Sequence, residues 1–265
     1  MDLGLRNRAA LLIGASRGIG GAAAVALARE GCRVAIVARG KEGAEARAAE
    51  CYAEGAPEAL AFAADALDVD ALERAINEAG RALGGLDVLV TVVGGSAPGT
   101  FTDLDDAGWE EPFQKNFFTA VRASRLALPY LVAAGERRQR DPREGAAIVH
   151  VASINGREGG GPITYSAAKA ALISFSHAQA RELAPRGIRV CSVAPGSTLH
   201  PGGSWERRLR ADPIGMGEFV KREIPFGRFG TAEESGDVIA FLCSPRASWV
   251  SGACVVVDGG QSRAF

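Results

Sequence analysis

A chain of 265 residues can form one large α/β domain or two small ones, and its 47% hydrophobic content can fill a sizeable core. The 30 basic and 31 acidic residues leave a net charge of -1, so no overall field draws the protein to nucleic acid or to an anionic membrane. These values argue against a nucleic-acid or membrane partner and favour chemistry on a small molecule.

Cysteine usage and the start of the chain both favour a reducing compartment. The five cysteines are odd in number, widely spaced and without any C-x-x-C pair, so we expect reduced core residues. Residues 1–6 lack an apolar signal core, and no uncharged apolar run approaches the length that spans a bilayer. We therefore expect a cytoplasmic protein, and no metal site is predicted.

Short apolar runs rich in β-branched residues alternate with longer alanine-rich helical patterns. The predicted buried strands are Ala9–Ile13, Arg33–Ala38, Ala59–Ala63, Leu86–Val93, Ala147–Ala152, Ile188–Val193 and Ala253–Val257. The predicted helices lie near 18–30, 41–54, 68–82, 106–134, 164–184 and 231–243. This alternation predicts a single-domain doubly wound (Rossmann) α/β fold, with a seven-stranded parallel sheet and helices on both faces.

Two segments fall outside this rhythm. Residues 137–145 are predicted as a charged loop between elements. Residues 196–226 follow a strand with Gly, Pro, Trp and a basic cluster before any regular helix resumes. That composition is typical of a flexible flap over a substrate pocket, and an ordinary surface insertion fits it equally well.

A glycine-rich loop directly follows the first predicted strand and opens a helix. Its residues are Gly14, Ala15, Ser16, Arg17, Gly18, Ile19 and Gly20. Glycines let the backbone turn tightly and approach a pyrophosphate, which the helix N-terminus stabilises through its free N–H groups and dipole. The position between a strand and a helix near the start of the chain predicts a dinucleotide site.

The end of the second strand bears on the choice of cofactor. A fold that binds NAD places an acidic residue on the adenosine ribose 2′-hydroxyl, about 20 residues beyond the glycines. Here Arg39 stands at the strand end, and Arg39 and Arg17 could both grip a 2′-phosphate. We expect NADP(H) to be preferred, although solvated arginines or a contact from Glu42 would suit NAD(H). Asp65, followed by Ala66, is a candidate for the adenine amino group, with capping of the next helix as its alternative.

Tyr165 and Lys169 are separated by one helical turn and so project from the same face of a predicted helix. At an effective dielectric of about 20 and a separation of about 5 Å, the ammonium favours the phenolate by roughly 3 kcal/mol, or about two pKa units. We expect Lys169 to lower the pKa of Tyr165 and to suit it for acid/base catalysis. On spacing alone, an exposed surface pair is the simpler interpretation.

The order of these motifs resembles the short-chain dehydrogenase/reductase family over nearly the whole chain. The matching residues are Gly14-x-x-x-Gly18-x-Gly20, Asn116, Ser153, Tyr165-x-x-x-Lys169 and Pro195-Gly196. Residues 224–231 and 250–260 are most similar to bacterial members of the 3-oxoacyl-[acyl-carrier-protein] reductase type.

The resemblance implies a role for each of four residues. Tyr165 would give a proton to a carbonyl oxygen as hydride arrives from nicotinamide, or take one from an alcohol in reverse. Lys169 would lower the tyrosine pKa and hold the nicotinamide ribose, and Ser153 would orient the carbonyl. Asn116 would hold a water that relays protons to Lys169. A helix kink at Asn116 and a loop cap at Ser153 are the alternatives.

The family also implies that Pro195 and Gly196, with Ser197 and Thr198, lie beside the nicotinamide carboxamide. A plain turn after a strand is the alternative for these residues. Of the family's Asn-Asn-Ala-Gly motif in the fourth strand, only the glycine is kept, as Gly94. We expect Gly94 at the cofactor pocket.

Three positions depart from the family pattern. Ile13 stands where threonine is usual, Thr91 begins the segment that replaces the two asparagines, and His150 stands where asparagine is frequent. These changes put hydrogen bonds around the loop and the sheet in doubt, but they remove no group from the proposed proton path. We interpret His150 as a hydrogen-bonded strand histidine rather than as a catalyst.

The leading hypothesis is an NADPH-dependent reductase of a ketone or 3-oxoacyl thioester. The alternatives are an alcohol dehydrogenase that works in the oxidative direction, a nucleotide sensor without turnover, and, last, a hydrolase built on Ser153 with His150 or His177. Ser153 lacks the G-x-S-x-G context that such a hydrolase needs.

The substrate pocket is expected to form from irregular segments at 95–100, 155–163 and 197–226. Its aromatic residues could line the pocket or pack the flap onto the body: these are Trp205, Phe219 and Phe226. Its basic residues could meet an acyl carrier protein or could simply be solvated: these are Arg207, Arg208 and Arg210. The family resemblance implies a homotetramer formed through the fourth and fifth helices and the last strand.

Overall fold

The computed structural model describes residues 2–139, 141 and 143–264. A seven-stranded sheet forms its centre, and all of its strand pairs are parallel. The strands of this sheet, in chain order, are β1 (Ala9–Ile13), β2 (Arg33–Ala38), β3 (Ala59–Ala63), β4 (Val88–Thr91), β5 (Ala146–Val151), β6 (Ile188–Pro195) and β9 (Cys254–Val257). A separate two-stranded sheet pairs β7 (Thr198–Leu199) with β8 (Gly230–Thr231).

The helices cover both faces of the central sheet. They are α1 (Gly18–Arg29), α2 (Lys41–Ala53), α3 (Val69–Ala82), α4 (Asp106–Phe113), α5 (Thr119–Gly135), α6 (Ile163–Leu183), α7 (Ser204–Ala211), α8 (Pro213–Glu223) and α9 (Ala232–Cys243). One apolar cluster packs α1 and α9 on one face of the sheet, and a second packs α3 and α5 on the other. The predicted single-domain doubly wound fold is thereby confirmed.

The strand order β3-β2-β1-β4-β5-β6-β9 determines where a ligand can enter. The chain runs outward in one direction from β1 to β3 and then returns to place β4 on the other side of β1. In a doubly wound sheet, the crevice for a ligand opens at the carboxyl ends of the strands where the order reverses. The glycine-rich loop after β1 and the segment after β4 meet at this point.

The helix predicted at 106–134 is interrupted by a π-helix at Gln114–Phe118. Asn116 explains the break, because its side-chain Nδ2 donates to Pro112 O at 2.9 Å. In a regular α-helix that carbonyl would accept the backbone N–H of Asn116, four residues on. The Asn116 side chain thus occupies Pro112 O, which a regular helix would use for a backbone hydrogen bond. The helix irregularity expected as the alternative for Asn116 is present.

The segment at 196–226 is largely regular, contrary to the expectation of an irregular flap. It contains β7, α7 and α8, and the last two helices follow each other with Asp212 between them. Asp212 caps α8 by accepting a hydrogen bond from Gly215 N at 2.8 Å. We call residues 198–229 the helical flap.

Two further predictions concern the chain as a whole. Part of the charged loop expected at 137–145 lies outside the described residues, and Glu136–Gln139 forms a short 3-10 turn. Among the helices that the structure describes, none combines the length and the apolar character that crossing a membrane requires.

Candidate active site

Tyr165 and Lys169 lie on the first turns of α6 and face the carboxyl ends of β4 and β5. Lys169 Nζ is 5.7 Å from the centre of the Tyr165 ring. The Tyr165 side chain also shares a hydrogen bond with Ser153, which follows β5. Lys169 on α6 and Ser153 after β5 therefore lie beside one phenol.

Lys169 is buried, and its Nζ donates to Val151 O at 2.8 Å. Burial lowers the pKa of its ammonium from 10.5 to about 8, because the charged form loses its hydration. A lysine with this pKa is still mostly protonated at pH 7 and can exchange a proton more readily than an exposed one.

The pKa of Tyr165 differs from the sequence prediction. Burial raises the pKa of the phenol, while the hydrogen bond with Ser153 opposes that effect. The expected lowering by Lys169 is not seen in the protein without ligand, because the desolvation of the phenolate is the larger effect. The prediction from spacing treated Tyr165 and Lys169 as partly solvated and left out the cost of burying the phenolate.

Ser153 begins the 3-10 turn Ile154–Gly156, and its Oγ accepts a hydrogen bond from Asn155 N at 3.2 Å. The predicted loop cap is therefore present. The same hydroxyl also contacts Tyr165, so the two interpretations of Ser153 are compatible. Capping fixes the hydroxyl at the edge of the sheet, next to the phenol.

Asn116 is buried and holds the loop after β4 by both of its amide atoms. Its Oδ1 accepts from Gly95 N at 3.0 Å, and its Nδ2 donates to Gly95 O at 2.9 Å. The amide oxygen has a second lone pair, which remains able to accept from a further donor. Asn116 thus fixes the backbone on which Gly94 lies.

Gly94, in the loop after β4, faces Asn116 and Lys169. A Cβ at this position would lie 2.8 Å from Asn116 Oδ1 and 3.1 Å from Lys169 Nζ. Any side chain would therefore displace the amide or the ammonium. This crowding is a physical reason for glycine at the position expected to face the cofactor.

The glycine-rich loop runs from the end of β1 into α1 and is overhung by the helical flap. Gly18, the first residue of α1, has φ 57°, and a Cβ there would lie 2.9 Å from the ring of His200. The neighbouring Arg17 is exposed, and its Nη1 is 3.0 Å from where a Cβ on Gly202 would be. Arg39 is exposed at the end of β2. Of the two arginines expected at a 2′-phosphate, Arg17 thus reaches the helical flap, and Arg39 is open to solvent.

The remaining residues of the loop have the surroundings that a tight strand-to-helix turn requires. Ser16 faces α2, where a Cβ on Gly43 would be 3.5 Å from its Cβ, and Ile19 packs on the core cluster. At Gly20 a Cβ would lie 2.8 Å from Gly14 O. The backbone can therefore close on itself only with glycine at this point.

Asp65 does not cap α3, so that alternative is wrong. Asp68 is the N-cap, because its side chain accepts from Ala71 N at 3.0 Å. Asp65 Oδ1 instead accepts from Leu67 N at 3.0 Å in a local turn, beside the buried Ala66. Its carboxylate remains a candidate for the adenine amino group.

The segment at Pro195–Thr198 is held by the C-terminal residues. Pro195 ends β6, and Ser197 donates from its backbone N to Gln261 Oε1 at 2.7 Å, while Gln261 Nε2 donates to Ser197 Oγ at 2.9 Å. At Gly196 a Cβ would lie 2.7 Å from that of Asp258. Sequence reasoning missed Gln261, because it belongs to no motif and reaches Ser197 across 64 residues of chain.

Two departures from the family pattern compensate for each other. Thr91 and His150 are register partners on β4 and β5, and Thr91 Oγ1 lies 2.7 Å from His150 Nδ1. His150 Nε2 lies 3.0 Å from Gln179 Oε1, and burial lowers the pKa of the ring to about 4. His150 is therefore a neutral, hydrogen-bonded strand residue, as predicted.

A hydrolase centre on Ser153 has no support in the described part of the chain. Both nitrogens of His150 are engaged with Thr91 and Gln179, and His177 Nδ1 lies 3.1 Å from Gly252 O. A nucleophilic serine requires a histidine base within hydrogen-bond reach.

The aromatic residues of the helical flap pack on one another. Trp205 stacks on Phe219 with ring centres 5.0 Å apart, and Phe229, which sequence analysis missed, lies 5.4 Å from Trp205. Arg208 covers the Trp205 ring at 4.8 Å. By contrast, Phe226 is 73% exposed and lies near the turn after β9. The flap thus has an apolar centre of its own.

Comparisons with known proteins identify the family to which this chain belongs. A family model described as enoyl-(acyl carrier protein) reductase matches residues 14–262. The 3-oxoacyl-[acyl-carrier-protein] reductase of Aquifex aeolicus is 32% identical over 265 residues, which cover 98% of this chain and 100% of that protein. An L-rhamnose 1-dehydrogenase (NAD(P)(+)) of Azotobacter vinelandii is 34% identical over 266 residues, which cover 97% of each chain. A solved structure from Sinorhizobium meliloti, provisionally assigned as a short-chain alcohol dehydrogenase, has a TM-score of 0.88 at 32% identity and covers 100% of both chains.

The chain belongs to the short-chain dehydrogenase/reductase family, and it is an oxidoreductase. Members of this family use nicotinamide cofactors and act on small molecules.

Proposed function

We propose that the chain is an NADP(H)-dependent reductase of a ketone or 3-oxoacyl substrate in which Tyr165 is the proton donor. The observation that carries this proposal is the convergence of the Tyr165 hydroxyl with Ser153 and Lys169 beside Gly94. Tyrosine, serine and lysine in this arrangement can bind a carbonyl oxygen and protonate it without any metal.

The residues would divide the work as follows. A bound nicotinamide dinucleotide supplies or accepts a hydride at C4 of its ring. Ser153 donates a hydrogen bond to the substrate oxygen, and Tyr165 transfers its proton to that oxygen as the carbonyl becomes an alcohol. Lys169 carries its charge at pH 7 because its pKa is about 8, and this charge stabilises the phenolate that remains. Asn116 would hold the water that relays protons to Lys169.

The same crevice supplies the contacts proposed for the cofactor. Gly18 opens α1, and the free N–H groups and dipole of this helix N-terminus would hold the pyrophosphate. Arg39, together with Arg17 after a change of its rotamer, would bind the 2′-phosphate that distinguishes NADPH from NADH. The other residues assigned to the cofactor are Gly14, Ser16, Ile19, Gly20, Asp65, Ala66, Gly94, Pro195, Gly196 and Thr198, with Tyr165 and Lys169 at the nicotinamide end.

The oxidative direction is the second candidate, because the same residues can take a proton from an alcohol. The relative from Azotobacter vinelandii, described as an L-rhamnose 1-dehydrogenase (NAD(P)(+)), favours this candidate. A sensor without turnover is a poorer fit, since binding alone needs no proton path through Tyr165 and Lys169.

The proposals for a protein partner and for the location in the cell rest on the same family resemblance. An acyl carrier protein would be the carrier of a 3-oxoacyl group, and the basic side chains of α7 are its proposed contact. In the protein by itself, Arg207 Nη1 donates to Gly202 O at 2.9 Å and Arg210 pairs with Glu206 at 2.8 Å. A homotetramer and a cytoplasmic location stay predictions.

The test is a panel of 3-oxoacyl thioesters, small ketones and the corresponding alcohols with NADPH, NADH and their oxidised forms. Loss of nicotinamide absorbance with a carbonyl compound, faster with NADPH than with NADH, supports the proposal. Turnover only of alcohols would favour the oxidative candidate. Tight NADPH binding without any turnover would contradict both and favour a sensor.

A further inference from the structure

His200 lies at the point where the helical flap covers the glycine-rich loop. It follows β7, and its imidazole packs against Gly18: a Cβ on Gly18 would be 2.9 Å from Cε1 and 3.0 Å from Nε2 of the ring. Gly18 belongs to the loop proposed for the dinucleotide phosphates. A flap side chain therefore occupies the edge of that site, although no sequence motif singled it out.

The orientation of the ring determines what it can bind. His200 Nδ1 lies 3.1 Å from Pro201 O. A carbonyl oxygen only accepts, so Nδ1 carries a hydrogen, and Nε2 is the ring nitrogen without a hydrogen-bond partner among the described residues. A Cβ on Gly18 would lie 2.9 Å from Cε1, 3.0 Å from Nε2 and 3.2 Å from Nδ1, so the ring edge that carries both nitrogens lies over Gly18. In the neutral ring Nε2 then holds a lone pair and repels a phosphate oxygen. In the imidazolium form the same nitrogen donates a charge-assisted hydrogen bond.

The charged groups around the ring favour an anion. Arg17 reaches Gly202 from the glycine-rich loop, and Arg207 Nη1 donates to Gly202 O at 2.9 Å. The opposing charge is Glu206, whose pKa is lowered chiefly by its hydrogen bond from Gly202 N at 2.7 Å. Gly203, where a Cβ would be 2.9 Å from the ring, caps α7, so the N-termini of α1 and α7 both point here. Two guanidinium groups and two helix N-termini outweigh the one carboxylate.

We propose that His200 binds the cofactor pyrophosphate through Nε2 in its imidazolium form and so ties the helical flap to the glycine-rich loop. This inference rests on the proposed cofactor site. It implies that cofactor affinity falls as pH rises and the imidazolium loses its proton. It also implies that binding holds the proton on His200 to higher pH, because linkage is reciprocal.

Binding of NADH at pH 5.5 to 8.0 tests the proposal without any turnover. NADH is the better probe, because the 2′-phosphate of NADPH itself titrates near pH 6, as phosphate monoesters do. Dissociation constants are measured for wild type, His200→Gln and the control His177→Gln, which changes an exposed histidine of α6. Wild type and control should lose roughly tenfold in affinity across this range, and His200→Gln should stay nearly constant. The same pH dependence in His200→Gln as in wild type would overturn the proposal.

A measurement on wild-type protein keeps the proposal testable whether or not the variant folds. The chain has three histidines, and buried His150 has a pKa of about 4, so the ring signals to follow are those of His177 and His200. Saturation with NADH should move the titration midpoint of one of them to higher pH. Two unmoved midpoints with NADH bound contradict this inference alone. Failure of both NADH and NADPH to bind wild type contradicts the proposed function and this inference with it.

Discussion

Replacing Lys169 with methionine should stabilise the fold while it removes activity. Methionine is unbranched, of similar length and apolar, so it can follow the path of the lysine stem through the core. The catalytic role proposed for Lys169 requires a charge inside the protein, where burial lowers its pKa from 10.5 to about 8. Stability and function therefore oppose each other at this position.

The expected size follows from the pKa and from one hydrogen bond. A lowering of about 2.5 pKa units means that the buried charge costs about 3 kcal/mol of folding free energy below pH 8. The variant also leaves Val151 O without its donor, which costs about 1 kcal/mol. At pH 7, Lys169→Met should raise the free energy of unfolding by about 2 kcal/mol.

The pH dependence gives a sharper test than the value at pH 7. Folded Lys169 loses its proton near pH 8, whereas a lysine in the unfolded chain keeps its proton to about pH 10, so the unfolded state binds more protons between these values. Wild-type stability contributed by this group therefore rises with pH, and the advantage of Lys169→Met should shrink by about 2 kcal/mol between pH 7 and 9.5.

Urea unfolding at several pH values, with Lys41→Met as the control at an exposed lysine of α2, measures both quantities. A Lys169→Met variant that is less stable than wild type at pH 7, or whose advantage does not change with pH, would refute the reasoning.

Three further predictions concern the cofactor side of the site. Gly94→Ala should lower kcat about tenfold or more with the fold retained, because the new methyl group pushes aside the Asn116 amide and the Lys169 ammonium. The control is Gly217→Ala in α8, where the methyl group meets open space. Equal kcat values for the two variants would contradict the crowding at Gly94. Arg39→Asp should weaken NADPH binding about tenfold more than NADH binding, and equal losses would show that Arg39 does not touch the 2′-phosphate. Gln261→Ala removes both hydrogen bonds to Ser197 and should raise the KM for the cofactor about fivefold with a smaller change in kcat; an unchanged KM would limit Gln261 to a structural role.

Much of the fold could be predicted because the strands are largely apolar runs with clear ends, and β1, β4, β5 and β6 are fully buried. The bounds of β1, β2 and β3 agree with prediction to the residue. The fourth strand was predicted as residues 86–93, but only Val88–Thr91 are paired, since the ladder with β1 ends at its last residue, Ile13. The length of a paired strand depends on its neighbours as well as on its own hydrophobicity.

The π-helix and the helical flap could not be predicted for related reasons. The π-helix depends on the contacts of Asn116 with Gly95 and Pro112, which a helical periodicity does not contain. The helices α7 and α8 are short and rich in charge, and their apolar side chains face each other within the flap rather than the main core.

The candidate site shows the same division. Spacing predicted that Tyr165 and Lys169 share a face, but it could not supply the desolvation that raises the pKa of the tyrosine. The contacts of His200 with Gly18 and of Gln261 with Ser197 form only in the folded chain, so the sequence did not indicate them. Local chemistry is encoded in motifs, whereas burial and long-range contacts depend on the folded chain.

The central claim is that the Tyr165 hydroxyl delivers the proton in carbonyl reduction. Tyr165→Phe deletes that hydroxyl and little else, so its single-turnover rate of NADPH consumption, with a carbonyl substrate that wild type reduces, is the most direct test. The account predicts a rate lower by about a thousandfold or more with an NADPH dissociation constant within about twofold of wild type. A variant that binds NADPH equally well and reduces the carbonyl at the wild-type rate would contradict it.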